Sequence, residues 1–342
     1  MPFSFTFSSP RSNLASPIKT FYKGKNVFIT GATGFVGVTI LEKLLRDIPE
    51  IGTVYLLMRP KKGKTVAQQL KIDEKRFDKI VPIEGDVGQE HLGISEAERQ
   101  VLIDNVHVVF HSAATLDFFQ SLKETTNINL LGTRRVVELC KQLSKLEVSE
   151  DSFHTLVHVS SAYVNSYITE VEEKLYPAPD DPEKVIHLAE TLSDEALKEL
   201  EPNHRCLETT HTRWTISKNG PQGFFMGASR GILRRLPLDP TIIMDYIPVD
   251  VVVNAIITTG YYVTRSSKVK NAGKPADLQI FHLTSSTYKP FRFEFLINKI
   301  NAYLHEYPLV PKSKLVKSLF IFRLGAILFH FIPGFFLDLV TN

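Results

Sequence analysis

Cysteine is nearly missing from this 342-residue sequence: Cys140 and Cys206 are the two present, and neither stands in a Cys-x-x-Cys pair. No disulfide framework and no metal ligand set can be built from them, and a reducing compartment is the simplest expectation. An excess of one charge is missing too. Forty Lys and Arg against 37 Asp and Glu leave a formal charge of +3, too weak a field to steer a nucleic acid, so no nucleic-acid partner is expected. Repeats and low-complexity tracts are absent, which excludes solenoids and fibres. With 43% hydrophobic and 23% charged residues the composition is that of a globular protein. The Ser- and Pro-rich stretch from Met1 to Thr20 has no basic region followed by an apolar run, so it reads as a mobile tail rather than a secretory signal.

What is present from Asn26 onward is an alternation of short apolar runs with helical periodicity, the mark of a parallel sheet wrapped by helices. Strands are expected at Asn26–Thr30, Thr53–Met58, Ile80–Glu84, Val106–His111 and Thr155–Ser160. Helices are expected at Val36–Asp47, Thr65–Lys71, Glu96–Asp104 and Asn127–Ser144, each with apolar residues at i, i+3, i+4 spacing. The strands are nearly continuous in apolar character, as strands covered on both faces are. The fold class is therefore α/β: a Rossmann, doubly wound parallel sheet with a smaller substrate-side and C-terminal helical part, since cores of this size tend to split. Past Ser160 the alternation breaks down. Tyr176–Asp194, rich in Pro, Asp and Glu, reads as an exposed loop before a short helix at Ser193–Leu200. Pro248 and Asp250 announce an N-capped buried helix over Val251–Ile257, and Gln279–Leu283 reads as a further strand.

The first strand runs into Gly31-Ala32-Thr33-Gly34-Phe35-Val36-Gly37 and then into an amphipathic helix. In that context the glycines have separate tasks: Gly31 takes the sharp turn, Gly34 lets the backbone approach a pyrophosphate, and Gly37 allows close packing of helix on strand. The helix N-terminus offers N–H groups and a partial positive charge to phosphates. Thr33, Phe35 and Val36 complete the loop. At the end of the second strand, where an acidic residue would hold an NAD ribose, the sequence reads Leu57-Met58-Arg59-Pro60-Lys61-Lys62. Arg59 can instead clamp a 2′-phosphate with its planar fork, so NADPH is the expected cofactor. Lys61, Lys62 and Lys64 either add to that field or form a solvated loop. Asp86 and Val87 follow the third strand, where the Asp can meet the adenine amino group. Ala113 and Ala114 follow the fourth, small enough for a cofactor to lie against the backbone. His111 reads as a packed strand-end histidine, because nothing near it in sequence orients it as an acid or base.

Taken together these residues resemble the extended short-chain dehydrogenase/reductase superfamily, and within it the fatty acyl-CoA reductases. The likeness rests on Gly24-Lys25-Asn26-Val27-Phe28-Ile29-Thr30-Gly31 through Gly37, Tyr55–Pro60, His111-Ser112-Ala113-Ala114-Thr115, Asn129-Leu130-Leu131-Gly132-Thr133 and His158–Asn165. Asn219-Gly220-Pro221-Gln222-Gly223, with Gly227 and Gly231, is similar to that family's substrate-side loop, which members acting on sugars or steroids do not share. The resemblance implies reduction of a long-chain fatty acyl-CoA through an aldehyde to the alcohol, with two NADPH consumed, in lipid biosynthesis. Hydride attack builds negative charge on the carbonyl oxygen, which needs a hydrogen-bond donor and an acid. In the superfamily these roles fall to a Ser or Thr after the fifth strand, matched here by Ser161, and to a Tyr-x-x-x-Lys pair.

That pair is missing. No tyrosine of the sequence has a lysine four residues on: Tyr163 leads to Tyr167, Tyr167 to Val171, Tyr176 to Asp180. The family pattern places the catalytic helix and a following strand just after Glu201-Pro202-Asn203. Here His204–Arg213 stands in their place, and the likeness resumes at Trp214-Thr215-Ile216-Ser217-Lys218. Lys218 belongs to the substrate-side motif and has no tyrosine at the right spacing. A segment of a few tens of residues is thus expected to be absent, and the C-terminus is expected to be truncated. Two further readings stay open: a non-catalytic NADPH- or lipid-binding variant of the scaffold, and another extended reductase or epimerase, which the Gly220–Gly231 loop disfavours.

The expected organisation is a tail over 1–20, an NADP-binding Rossmann domain over 21–203, an interrupted substrate-side region over 204–290 and a truncated C-terminal helical region over 291–342. Leu319–Val340 is apolar over about the 20 residues that cross a bilayer. His330 sits inside it and Pro333-Gly334 would break a helix there. It reads either as a membrane-lipid contact, spanning or interfacial, or as a buried helix and turn. The resemblance implies membrane association at the peroxisome or endoplasmic reticulum, with the catalytic domain facing the cytosol.

Overall fold

The computed structural model describes residues 16–59, 78–116, 120–143, 155–162, 164–165, 168, 170–178, 180–197, 235–236, 239, 241–270, 278–285, 290–306 and 314–315. Five parallel strands form one sheet: β1 (Val27–Thr30), β2 (Val54–Met58), β3 (Ile80–Glu84), β4 (Val108–His111) and β5 (Thr155–His158), in the order β3-β2-β1-β4-β5. The register sets Thr30 beside His111 and His111 beside His158, so these strands end level with one another. Each expected strand is present, β3 with the bounds expected and the other four trimmed by one or two residues.

Alternation along each strand divides the core in two. Val27, Ile29, Val54, Leu56, Val108 and Phe110 face one side, packed with Tyr22, Ile40, Leu41, Leu44, Val253, Ile256 and Ile257. Phe28, Tyr55, Leu57 and Val109 face the other, packed with Leu102, Val136, Leu139 and Leu143. The period-two pattern of a strand places successive side chains on opposite faces, and here both faces are dry.

The covering helices are α1 (Pro17–Tyr22), α2 (Phe35–Asp47), α3 (Glu96–Asn105), α4 (Gly132–Leu143), α5 (Pro182–Thr191), α6 (Val249–Lys270) and α7 (Phe293–Glu306). A single turn at Leu122–Thr125 continues through a π turn, Thr126–Leu131, into α4. The helix expected at Thr65–Lys71 lies outside the described residues.

Four expectations need correction. The tail ends earlier than Thr20, because α1 begins at Pro17 and Tyr22 is fully buried, donating its hydroxyl to Ile257 O at 2.8 Å. That bond also joins the N-terminal segment to α6. Tyr176–Asp194 is not all loop: α5 occupies Pro182–Thr191, because Asp181 caps it by accepting the Glu183 N–H, Pro182 opens it, and Val185, Ile186 and Ala189 are buried. The helix expected over Val251–Ile257 runs from Val249 to Lys270, and Val253, Ile256 and Ile257 share the core of β1, so part of the region set apart from residue 204 belongs to the Rossmann layer. Gln279–Leu283 forms no strand. The His282 N–H donates to Glu173 at 2.7 Å, and Leu278, Phe281 and Leu283 are exposed. A strand needs a ladder partner, and among the described residues β5 is the last strand of the sheet.

Two short pairings lie outside that sheet: Arg235–Leu236 runs parallel with Lys314–Leu315, and Ile243–Met244 antiparallel with Phe291–Arg292.

Candidate functional site

Strand order reverses between β1 and β4, and in open α/β sheets the crevice outside the carboxyl ends at such a reversal is where a ligand fits. Every site residue expected from the sequence follows the carboxyl end of a strand: Gly31–Gly37 after β1, Arg59 after β2, Asp86 and Val87 after β3, Ala113 and Ala114 after β4, Ser161 after β5.

The glycine loop has the geometry its spacing implies. Gly31 has φ +72°, and a Cβ there would stand 2.7 Å from the backbone of Ser112 and Ala113, so the β1 and β4 loops meet without a side chain between them. A Cβ on Gly37 would stand 2.3 Å from Gly31 O, which is why the first turn of α2 can close on the loop. Gly34 is the extended N-cap of α2. Thr33 and Gly34 are exposed, Phe35 and Val36 half-buried, and Val36 packs against the core. The cradle is backbone, with the helix N-terminus at its rim. That fits a pyrophosphate.

Arg59 and Asp86 come together, Arg59 Nη1 lying 3.9 Å from Asp86 Oδ2. Both stand at the carboxyl ends of neighbouring strands, Arg59 after β2 and Asp86 after β3. Lys61, Lys62 and Lys64 lie outside the described residues. The Val87 side chain is in the core, and its carbonyl accepts from Arg135 at 3.0 Å. Ala114 is exposed and Ala113 half-buried. Ser161 is half-buried, and its carbonyl accepts the Val164 N–H at 3.2 Å.

His111 is a fully buried, satisfied group. Thr133 donates to Asn129 O at 2.7 Å, so its oxygen accepts from His111 Nε2 at 3.1 Å. His111 Nδ1 then accepts from Thr30 Oγ1 at 2.6 Å, and Thr30 Oγ1 accepts from the Ala113 N–H at 3.4 Å. The directions are mutually consistent for a neutral imidazole carrying its proton on Nε2. Burial first, and the neighbouring His158 second, push its pKa down to about 3. It holds the β4 loop and is no acid for a reaction near neutrality.

Several residues around the site carried no role in the sequence reading. Asn129 accepts the Thr115 N–H at 2.8 Å and so fixes the loop beyond Ala114; it sits in the π turn, a feature often found at functional sites. Asn127 and Arg135 grip the Asp86 turn. Arg135 had a legible signal, since it lies on the same stripe as Leu139 and Leu143, where a charge is out of place.

Against known proteins, the profile of the NAD-binding domain described as Male sterility protein matches residues 29–206 and 204–256. The Drosophila melanogaster protein CG8306, assigned by name as a fatty acyl-CoA reductase, is 63% identical over 96% of this chain and 73% of its own length. This chain belongs to the fatty acyl-CoA reductase family. Fatty acyl-CoA reductase 1 of Rattus norvegicus is 28% identical over 95% of the chain and 71% of its own length. Fatty acyl-CoA reductase 1 of Homo sapiens is 30% identical over 81% of the chain and 61% of its own length. Such membership makes the chain an oxidoreductase-family protein with a nicotinamide dinucleotide domain. Solved structures show the fold alone. The terminal reductase domain of the myxalamid pathway has a TM-score of 0.54 at 21% identity, covering 85% of this chain and 72% of that one. The dTDP-glucose 4,6-dehydratase of Bacillus anthracis has 0.53 at 14%, covering 85% and 84%.

The matches also bear on the interruption. The family profile fits in two pieces that meet at 204–206, the place where the sequence departs from the family pattern. The alignment with the fly reductase runs over 384 positions, more than the 342 residues of this chain, so tens of positions in that relative have no counterpart here.

Proposed function

We propose that the chain binds NADPH along the carboxyl edge of its sheet and represents the cofactor-binding half of a reductase of long-chain fatty acyl-CoA. The observation that carries the reading is the convergence of a backbone phosphate cradle at Gly31–Gly37, the Arg59 and Asp86 pair, the small residues Ala113 and Ala114, and Ser161 on one edge. Arg59 is the reason to name NADPH: an exposed guanidinium at the end of β2 suits a 2′-phosphate, and no carboxylate follows that strand directly. When bound, that cofactor supplies the hydride. In a chain that carried the missing acid, Ser161 would donate a hydrogen bond to the oxygen of the thioester carbonyl as charge develops there; Ala113 and Ala114 leave room for the dinucleotide against the β4 loop.

Turnover needs an acid as well, and the chain holds no Tyr-x-x-x-Lys pair. We therefore assign the chain as it stands a nucleotide-binding role without catalysis. The split at 204–206 supports that reading, because the catalytic helix of the family pattern belongs there. The two functions separate in one experiment: titrate NADPH fluorescence with the protein, then add a long-chain acyl-CoA and follow absorbance of the reduced nicotinamide. Binding without consumption is expected, and consumption at the rate of an intact relative overturns the non-catalytic assignment.

Lipid contact belongs to the same proposal. No helix among the described residues is long and apolar enough to cross a membrane, and Leu319–Val340 lies outside them. Its apolar run, together with an acyl substrate, supports association with a peroxisomal or endoplasmic-reticulum membrane.

A further inference from the structure

Arg135 is 8% exposed and sits on the core-facing side of α4, where a charge costs free energy unless it is fully engaged. Its partners are mostly backbone and amide oxygens belonging to one turn and its neighbour. Nη1 lies 3.0 Å from Val87 O, 3.2 Å from Asn127 O and 3.0 Å from Asn127 Oδ1, and Nη2 lies 2.7 Å from Glu90 at the surface. Asn127 Nδ2 in turn donates to Gly88 O at 2.9 Å. Two side chains of the π turn and α4 thus hold consecutive carbonyls of the segment after β3.

The other side of that segment is held just as firmly, and at a conformational cost. The Asp86 N–H donates to Leu92 O at 2.8 Å, and to present that carbonyl the chain passes through φ +51° at His91, +63° at Leu92 and +61° at Gly93. Left-handed backbone at two successive non-glycine residues persists only where the surroundings impose it; here the Leu92 side chain is fully buried. Within the turn, the Gly88 N–H donates to Asp86 Oδ1 at 2.9 Å, which fixes the carboxylate plane and leaves Oδ2 on the side of Arg59.

We propose that Arg135, with Asn127, is a positioning residue for the adenosine half of the dinucleotide, acting through the Asp86 turn it holds. The inference rests on the NADPH reading above. Arg135 closes the one side of the adenosine corner that the Asp86–Leu92 bond does not hold. It contributes nothing to the nicotinamide half.

Equilibrium binding of NADPH and of adenosine 2′,5′-bisphosphate tests this, with Arg135→Lys, Asp86→Ala and the double variant. Arg135→Lys keeps the charge and loses the fork. It is expected to weaken both ligands by the same factor, about tenfold, and to have no further effect in the Asp86→Ala background. Asn127→Ala, which spares the buried guanidinium, runs through the same cycle and gives a second answer if Arg135→Lys does not fold. Unchanged affinity for the bisphosphate, a larger loss for NADPH than for the bisphosphate, or a loss undiminished in the Asp86→Ala background overturns the inference while the cofactor reading stands. A folded wild-type chain that binds neither compound overturns the cofactor reading itself, and the inference with it.

Discussion

The proposed preference for NADPH rests on Arg59, and its surroundings set the size of the effect to expect. It is 68% exposed along its side chain and 3.9 Å from Asp86, an arrangement that in water contributes little to stability. Replacing it should therefore be nearly silent in unfolding and clear in binding. Arg59→Asp is expected to lower the preference for NADPH over NADH by an order of magnitude or more, since a charge-assisted bidentate contact becomes a repulsion. Equal preference in wild type and variant, measured by fluorescence titration, would remove Arg59 from the site. His111 makes the opposite kind of prediction. Its folded pKa of about 3 lies below the ordinary 6.5, so between those values the unfolded chain binds a proton that the folded chain refuses. Stability is whole above about pH 6.5 and declines as the pH falls toward 3, by roughly 2 kcal/mol at pH 5 if the site stays intact. Urea midpoints at pH 7.5 and 5.0 should fall further apart for the wild type than for His111→Gln. The glycines were legible in the sequence because their surroundings are local, whereas the partners that hold His111, Thr30 and Thr133, lie 81 and 22 residues away. Arg135 was not read, because two of its partners, the Val87 carbonyl and the Glu90 carboxylate, lie more than forty residues away, although a charge on an apolar stripe was a visible sign.

Among the elements, the strands and α2, α3 and α4 follow from periodicity alone, and the departures have identifiable causes. The helix at Pro182–Thr191 was hidden by composition: Pro, Asp and Glu suggest a loop, yet the order Asp181-Pro182-Glu183 is a helix start, and three apolar residues behind it meet the core. The missing strand at Gln279–Leu283 fails for the converse reason. Its apolar residues suit a strand, but a strand is a relation between two segments. Reinserting the corresponding segment of the fly reductase after Asn203 is expected to raise the unfolding midpoint and to confer acyl-CoA-dependent NADPH oxidation on the chain. A protein that gains stability but no activity would show that Ser161 is misplaced. At α1, the Tyr22 hydroxyl is buried and bonded to Ile257 O, so Tyr22→Phe should cost about 1 kcal/mol in urea denaturation without changing NADPH affinity. A change in affinity would mean that α1 and α6 influence the site through the face they share with α2.

On the scale of the whole molecule, location remains an expectation, and it rests on Leu319–Val340. If that run contacts lipid, the protein should sediment with membranes and leave them only in detergent, and deletion of Leu319–Asn342 should move it to the high-speed supernatant. A chain that stays in the supernatant with the segment intact defeats the membrane reading. Fold class, the dinucleotide loop, Arg59 and the lack of a Tyr-x-x-x-Lys pair were determined by the sequence itself, because a turn, a helix start and a spacing are each set by residues close together in the chain. The tertiary structure decided what depends on segments far apart: the burial of Tyr22 under α6, the pairing of Arg59 with Asp86, the neutral state of His111, the grip of Arg135 on the Asp86 turn, and the failure of Gln279–Leu283 to become a strand. Local pattern specifies which conformations a segment can adopt. Only packing supplies the partners, the dryness and the charges that select among them.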